Sequence, residues 1–83
     1  MDFGQAIEAL KQGKKAARAG WNGKNMFLLN VPSNKWGIIE EIGLNIPKEN
    51  LSPWIGMKTA DGHFVPWLAS QTDILAEDWI IVD

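Results

Sequence analysis

Two short runs carry side chains suited to a phosphorylated, aromatic ligand. In RAGWNG, Arg18 offers a planar guanidinium fork for phosphate, Trp21 an aromatic face for a base, and Asn22 an amide for ribose or base edges. In SQT, Ser70, Gln71 and Thr72 add hydroxyl and amide groups of the same use, and Phe27 adds a second ring. Brought together, these groups suit a nucleotide. Each also has a purely structural reading: Trp21 covers a hairpin end, Phe27 belongs to the core, and Ser70 and Thr72 cap a helix. The residues alone leave both readings standing.

Catalytic groups are scarce. The chain has one histidine and no cysteine, so few side chains can titrate or attack near neutral pH. His63 follows Asp61-Gly62, where an exposed hairpin residue is expected. A triad drawn from Ser70, His63 and Asp73 has no support in spacing, because triads are defined by geometry. Glu40 and Glu41, and Glu77 and Asp78, stand as adjacent pairs whose side chains diverge; a solvated acidic face is expected rather than a metal site. GKKAARAG lacks the glycine spacing and the Lys-Ser/Thr ending of a phosphate loop. The expectation is a binder that is not an enzyme and carries no metal or cofactor.

The elements that must position these residues read as α+β. Phe3, Ala6, Ile7 and Leu10 fall on one helical stripe, Asp2 and Gln5 have capping-box spacing, and Gly13 ends the helix before Lys14 and Lys15. AARAGW and KNMFLLNV flank Asn22-Gly23, a dipeptide suited to a type I′ turn, so two antiparallel strands are predicted, with Gly20 able to loosen the turn. From Pro32 to Pro53, prolines and glycines interrupt Trp36, Ile38, Ile39, Ile42, Leu44 and Ile46, which reads as an irregular excursion with room for one short helix. Its apolar residues bury against its own sheet or against a partner subunit. WIGMKTADGHFVPW reads as a second hairpin turning at Asp61-Gly62, with Pro66 at a sheet edge. Ser70 and Asp73 have capping-box spacing for a short second helix, and WIIVD is a terminal strand. The prediction is a small antiparallel sheet with one longer N-terminal helix packed on it.

With 83 residues, the chain has room for one domain over residues 1–83 and one small core. Lacking disulfides, such a core is commonly supplemented by oligomerisation. A net charge of -2 argues against DNA or RNA polymers, which require many phosphates to be neutralised together; a small anion needs only one or two cations. No run is apolar enough to span a membrane and no secretory signal is evident, so a cytoplasmic protein is expected. Five tryptophans and three phenylalanines without tyrosine suggest stacking surfaces or interfaces.

The blocks FGQAIEALKQGKKAARAGWNGKNMFLLNVP and WIGMKTADGHFVPWLASQTDILAEDW, with the terminal strand, resemble a phage and prophage family of type 2 Thoeris anti-defence proteins, long described only as a domain of unknown function. RAGWNGKNMF, MKTADG and PWLASQTDILAEDW carry the resemblance, which covers nearly the whole chain except about residues 33–52. It implies a sponge that sequesters, without degrading, cyclised ADP-ribose signals (gcADPR) made by bacterial TIR-domain enzymes. It also implies a homotetramer with pockets between protomers, acting in the cytoplasm of the bacterial host. Some relatives are similar to sponges for cyclic dinucleotides that use separate pockets. Matching positions point to Arg18, Trp21, Asn22, Met26 and Phe27 in the first block, and to Thr59, Ser70, Gln71, Thr72 and Asp73 beyond it. The alternatives are an enzyme that cleaves the same signal, and a protein-interaction module that inhibits a host factor through Trp36 and Trp54.

Overall fold

A computed structural model describes residues 1–35, 43 and 46–82. The first helix, α1 (Phe3–Lys11), begins with the expected capping box: Gln5 N–H donates to Asp2 Oδ1 at 2.8 Å and Asp2 N–H donates to Gln5 Oε1 at 3.0 Å. It ends in a Schellman motif, with Gly13 at φ +86°, Gly13 N–H donating to the Leu10 carbonyl and Lys14 N–H to that of Ala9.

Five strands follow: β1 (Lys15–Arg18), β2 (Phe27–Val31), β3 (Trp54–Lys58), β4 (Phe64–Pro66) and β5 (Trp79–Val82). They form one antiparallel sheet in the order β4-β3-β2-β1-β5. The short α2 (Gln71–Leu75) lies between β4 and β5 in the chain. Pro66 sits on β4, an edge strand, as expected from its missing N–H. Gly62 has φ +90° in the β3–β4 turn, a conformation costly for residues with a Cβ.

The α1 side of the sheet holds the core. Ala16 pairs with Leu28 and Ile81, and Leu28 with Met57, so these residues share a face. Ala6 and Leu10 from α1 pack there with Ala16, Leu28 and Trp79. Trp79 is fully buried. The rings of Phe3 and Trp21 each lie 5.5 Å from its ring and that of Trp67 6.1 Å away. Its indole N–H is satisfied by the Asp73 carbonyl at 2.9 Å.

One local expectation is corrected. Asn22-Gly23 is not the apex of a two-residue turn: Ala19–Lys24 forms a 3-10 helical run between β1 and β2. The longer connection lets Trp21 turn back onto Trp79 in an edge-to-face contact at 80°, a burial that outweighs the local turn preference. In the Pro32–Pro53 excursion the structure describes short 3-10 turns at Ser33–Lys35 and Lys48–Asn50. Trp36, Ile38, Ile39, Glu40, Glu41, Ile42 and Leu44 lie outside the described residues.

Candidate functional site

The antiparallel order brings the predicted residues to one end of the sheet. β1 leaves this end where β2 enters, so Arg18 at the last position of β1 lies beside Trp79 on β5 and, when the Ala16–Leu28 pairing is continued by two residues, level with Met26 just ahead of β2. Phe27 pairs with Lys58, which sets Met26 beside Thr59, and Thr59 N–H donates to the His63 carbonyl at 2.8 Å. Trp79, Arg18, Met26, Thr59 and His63 therefore cross the sheet as one row on the α1 side.

α2 is tied to the same row. Ser70 Oγ accepts from Asp73 N–H at 3.1 Å and caps the helix. Gln71 and Thr72 are exposed in its first turn. The Asp73 side chain points back to the sheet, where Arg18 Nη1 donates to its Oδ1 at 2.9 Å. Arg18 Nε donates to Asp78 Oδ1 at 2.7 Å, and Nη2 reaches Asp78 Oδ2 at 3.4 Å. Hydrogen bonds donated to Asp78 and then to Asp73 hold the guanidinium above its ordinary pKa, and the bond accepted from Arg18 holds the Asp78 carboxyl below its own. The fork predicted for phosphate is thus filled from within the chain. One cation meets two carboxylates, and the clamp has a net negative charge.

Thr59 is also engaged locally. Its hydroxyl donates to the Asp61 carboxylate and accepts from His63 N–H at 3.0 Å, closing the β3–β4 hairpin. The Thr59 hydroxyl and then His63 hold the Asp61 carboxyl below its usual value. His63 is exposed, as expected, with Nδ1 3.2 Å from Asp61 Oδ1.

Phe27 parts from the group. By register it faces away from α1, where Lys15 Nζ sits 4.7 Å from its ring centroid. Trp21 is half-buried on Trp79. Asn22 lies in the 3-10 run, and its side chain is outside the described set. Trp54, expected as an exposed anchor in the interaction-module alternative, is half-buried and leans on Phe64 at 5.8 Å.

Arg18, Trp21, Met26, Thr59, Ser70, Gln71, Thr72 and Asp73 therefore gather at one end, while the Phe27 side chain does not join them. Sequence reasoning missed Asp78, read as part of a solvated face; only the placement of β5 beside β1 reveals its pairing with Arg18. Among the described residues, concave regions of about 440 and 260 Å³ lie elsewhere: one between α1 and the β5 edge at Ile81, the other near Leu10, Asn30 and Trp54. None of the ten predicted residues lines either. Among the described residues, no group of three or more His, Asp or Glu side chains is placed to hold a metal ion.

Residues 1–82 match the family model of the Thoeris anti-defense 2-like domain. The chain is 45% identical over 86 aligned positions to Thoeris anti-defense 2 of Bacillus phage SP01, covering 99% of this chain and 94% of that protein. The match runs through the capped helix, the 3-10 run with Trp21, the five strands and the α2 segment alike, and on it the chain belongs to the Thoeris anti-defense 2-like family.

Proposed function

We propose that the protein is a phage anti-defence sponge. It binds cyclised ADP-ribose signals made by bacterial TIR-domain enzymes of the Thoeris system and withholds them, uncleaved, from the effector they would activate. The observation that carries this reading is the 45% identity to Thoeris anti-defense 2 over nearly the full length of both chains. The placement of Trp21 and of Ser70, Gln71 and Thr72 at the same end of the sheet supports it, since aromatic, hydroxyl and amide side chains are those a nucleoside site draws on. Cyclic dinucleotides are a second ligand class for the same activity.

A sponge acts by mass action, so it must bind the signal more tightly than the effector does and outnumber it. Nanomolar affinity corresponds to about 12 kcal/mol, within reach of base stacking, charge-assisted phosphate bonds and exclusion of water. Enclosure supplies the last of these. In this reading the protein is a homotetramer with ligand sites between protomers, working in the cytoplasm of the infected host. Leu68 and Leu75, 93% and 78% exposed beside α2, support such assembly. No described helix is long and apolar enough to cross a membrane.

The test is to load the protein with a TIR-generated signal and separately with cyclic dinucleotides, remove free ligand, denature the protein by heat and chromatograph what is released. Intact cyclised ADP-ribose is the expected product. A cleaved product would make the protein an enzyme acting on the same signal. Release of nothing, with a host protein retained stoichiometrically, would replace the sponge with an interaction module.

A further inference from the structure

Charge is distributed unevenly between the two faces of the sheet. On the α1 side, the Arg18 clamp sets one guanidinium against Asp73 and Asp78. A phosphate arriving there meets two carboxylates before it meets the cation. On the opposite face the balance reverses. Lys58 stands directly across from Phe27 on the neighbouring strand, and Lys15 Nζ lies 4.7 Å from the Phe27 ring centroid. Neither lysine has a carboxylate within ion-pair distance among the described residues.

The surroundings favour an anion further. Ala17 is fully buried and Leu29 half-buried on this face, so the ground around the Phe27 ring is apolar, which weakens solvent screening. Lys58 Nζ spends one donor on the Asn25 carbonyl at 3.0 Å and keeps two. Asn25, at φ +56°, is the exit of the run that carries Trp21, so Lys58 links that run to the sheet. Among the described residues, no acceptor takes up the N–H donors of Lys15, whose ammonium lies against the ring. Two like charges flanking one ring, with no carboxylate partner among the described residues, favour an anion between them.

We propose that Lys15 and Lys58, placed around Phe27 on the face opposite α1, seat the diphosphate of the nucleotide ligand, and that Arg18 is a positioning residue that holds α2 to the sheet and touches no phosphate. The ligand's identity rests on the sponge reading; the place of its anionic part rests on the charge geometry.

Two measurements keep these apart. Inorganic pyrophosphate titrated into the whole protein, followed by isotope-edited NMR of the lysine ammonium and Phe27 ring signals, reads the anion seat alone. Shifts at Lys15, Lys58 and Phe27 are expected in the wild type, with the Phe27 shift vanishing in Lys15→Gln/Lys58→Gln and persisting in Lys58→Arg. A response centred on Arg18 Nε, or none at either lysine, overturns the proposal whatever the protein does with signals. In capture assays with cyclised ADP-ribose, each Lys→Gln change should weaken binding about tenfold or more, and the double variant should lose most salt dependence. Capture unchanged in the double variant overturns the seat and leaves the sponge intact. Pyrophosphate binding at the lysines without capture of any cyclic nucleotide retains the seat and removes the sponge.

Discussion

Arg18 spans 60 residues of sequence to reach Asp78 and 55 to reach Asp73, and it ties the last turn of the chain to the first strand. Because Asp78 is more acidic in the fold than in the open chain, the pairing stabilises above the ordinary carboxylate value of 3.8 and is lost as pH falls through the lower folded value. Asp78→Asn should therefore lower the melting temperature at neutral pH, with the gap to wild type narrowing below about pH 4. A gap that ignores pH would assign the loss to packing instead. Arg18→Ala should cost more than Asp78→Asn, since it leaves two carboxylates facing each other. Trp21 calls for a different readout, because it packs on Trp79 and, in the proposed function, also stacks on the ligand. Trp21→Ala should abolish capture of the cyclic signal while sedimentation still finds the assembled oligomer; a dispersed oligomer would make Trp21 structural alone.

Elements built from neighbours in sequence were legible, and those built from distant pairings were not. Asp2, Gln5 and Gly13 announce α1 because a cap is satisfied within a few residues. Asp2→Ala should cost about 1 kcal/mol in chemical denaturation, the usual worth of such a cap. Asp61-Gly62 was readable for the same reason. Asn22-Gly23 misled because its turn preference, a local term, lost to the burial of Trp21 against Trp79 on the far edge strand. Strand order lay beyond reach too: nothing near Asp78 signals that β5 pairs with β1, so the clamp and the negative charge beside Arg18 went unread. Gly56 shows such a long-range constraint from the other side. A Cβ there would overlap the Phe64 ring that lies on it. Gly56→Ala should thus destabilise the β3–β4 hairpin, while Gly56→Ala in a Phe64→Ala background should cost little; a double-mutant cycle without coupling would disprove the contact.

At the scale of the molecule, few residues carry the fold. Only Ala6, Ala9, Leu10, Ala16, Ala17, Leu28 and Trp79 are buried hydrophobics among those described, and four of the seven are alanines with little surface to withdraw from water. Against that thin core, Leu68, Ile74 and Leu75 stand exposed around α2, on the same end as Ser70, Gln71 and Thr72. If a second copy covers these side chains, assembly and ligand site share α2, and burial between subunits supplements the core within them. Exposed leucines exchanged for polar residues change a monomer by roughly ±0.5 kcal/mol, whereas the same exchange inside an interface disperses it. On the proposed tetramer, Leu68→Ser/Leu75→Gln should accordingly convert a species of four times the 9.2 kDa chain mass to smaller ones in sedimentation velocity, with the far-UV spectrum unchanged and ligand capture lost. A wild-type protein that sediments as a monomer would end the tetramer proposal, and a double variant that remains tetrameric would move the interface away from α2.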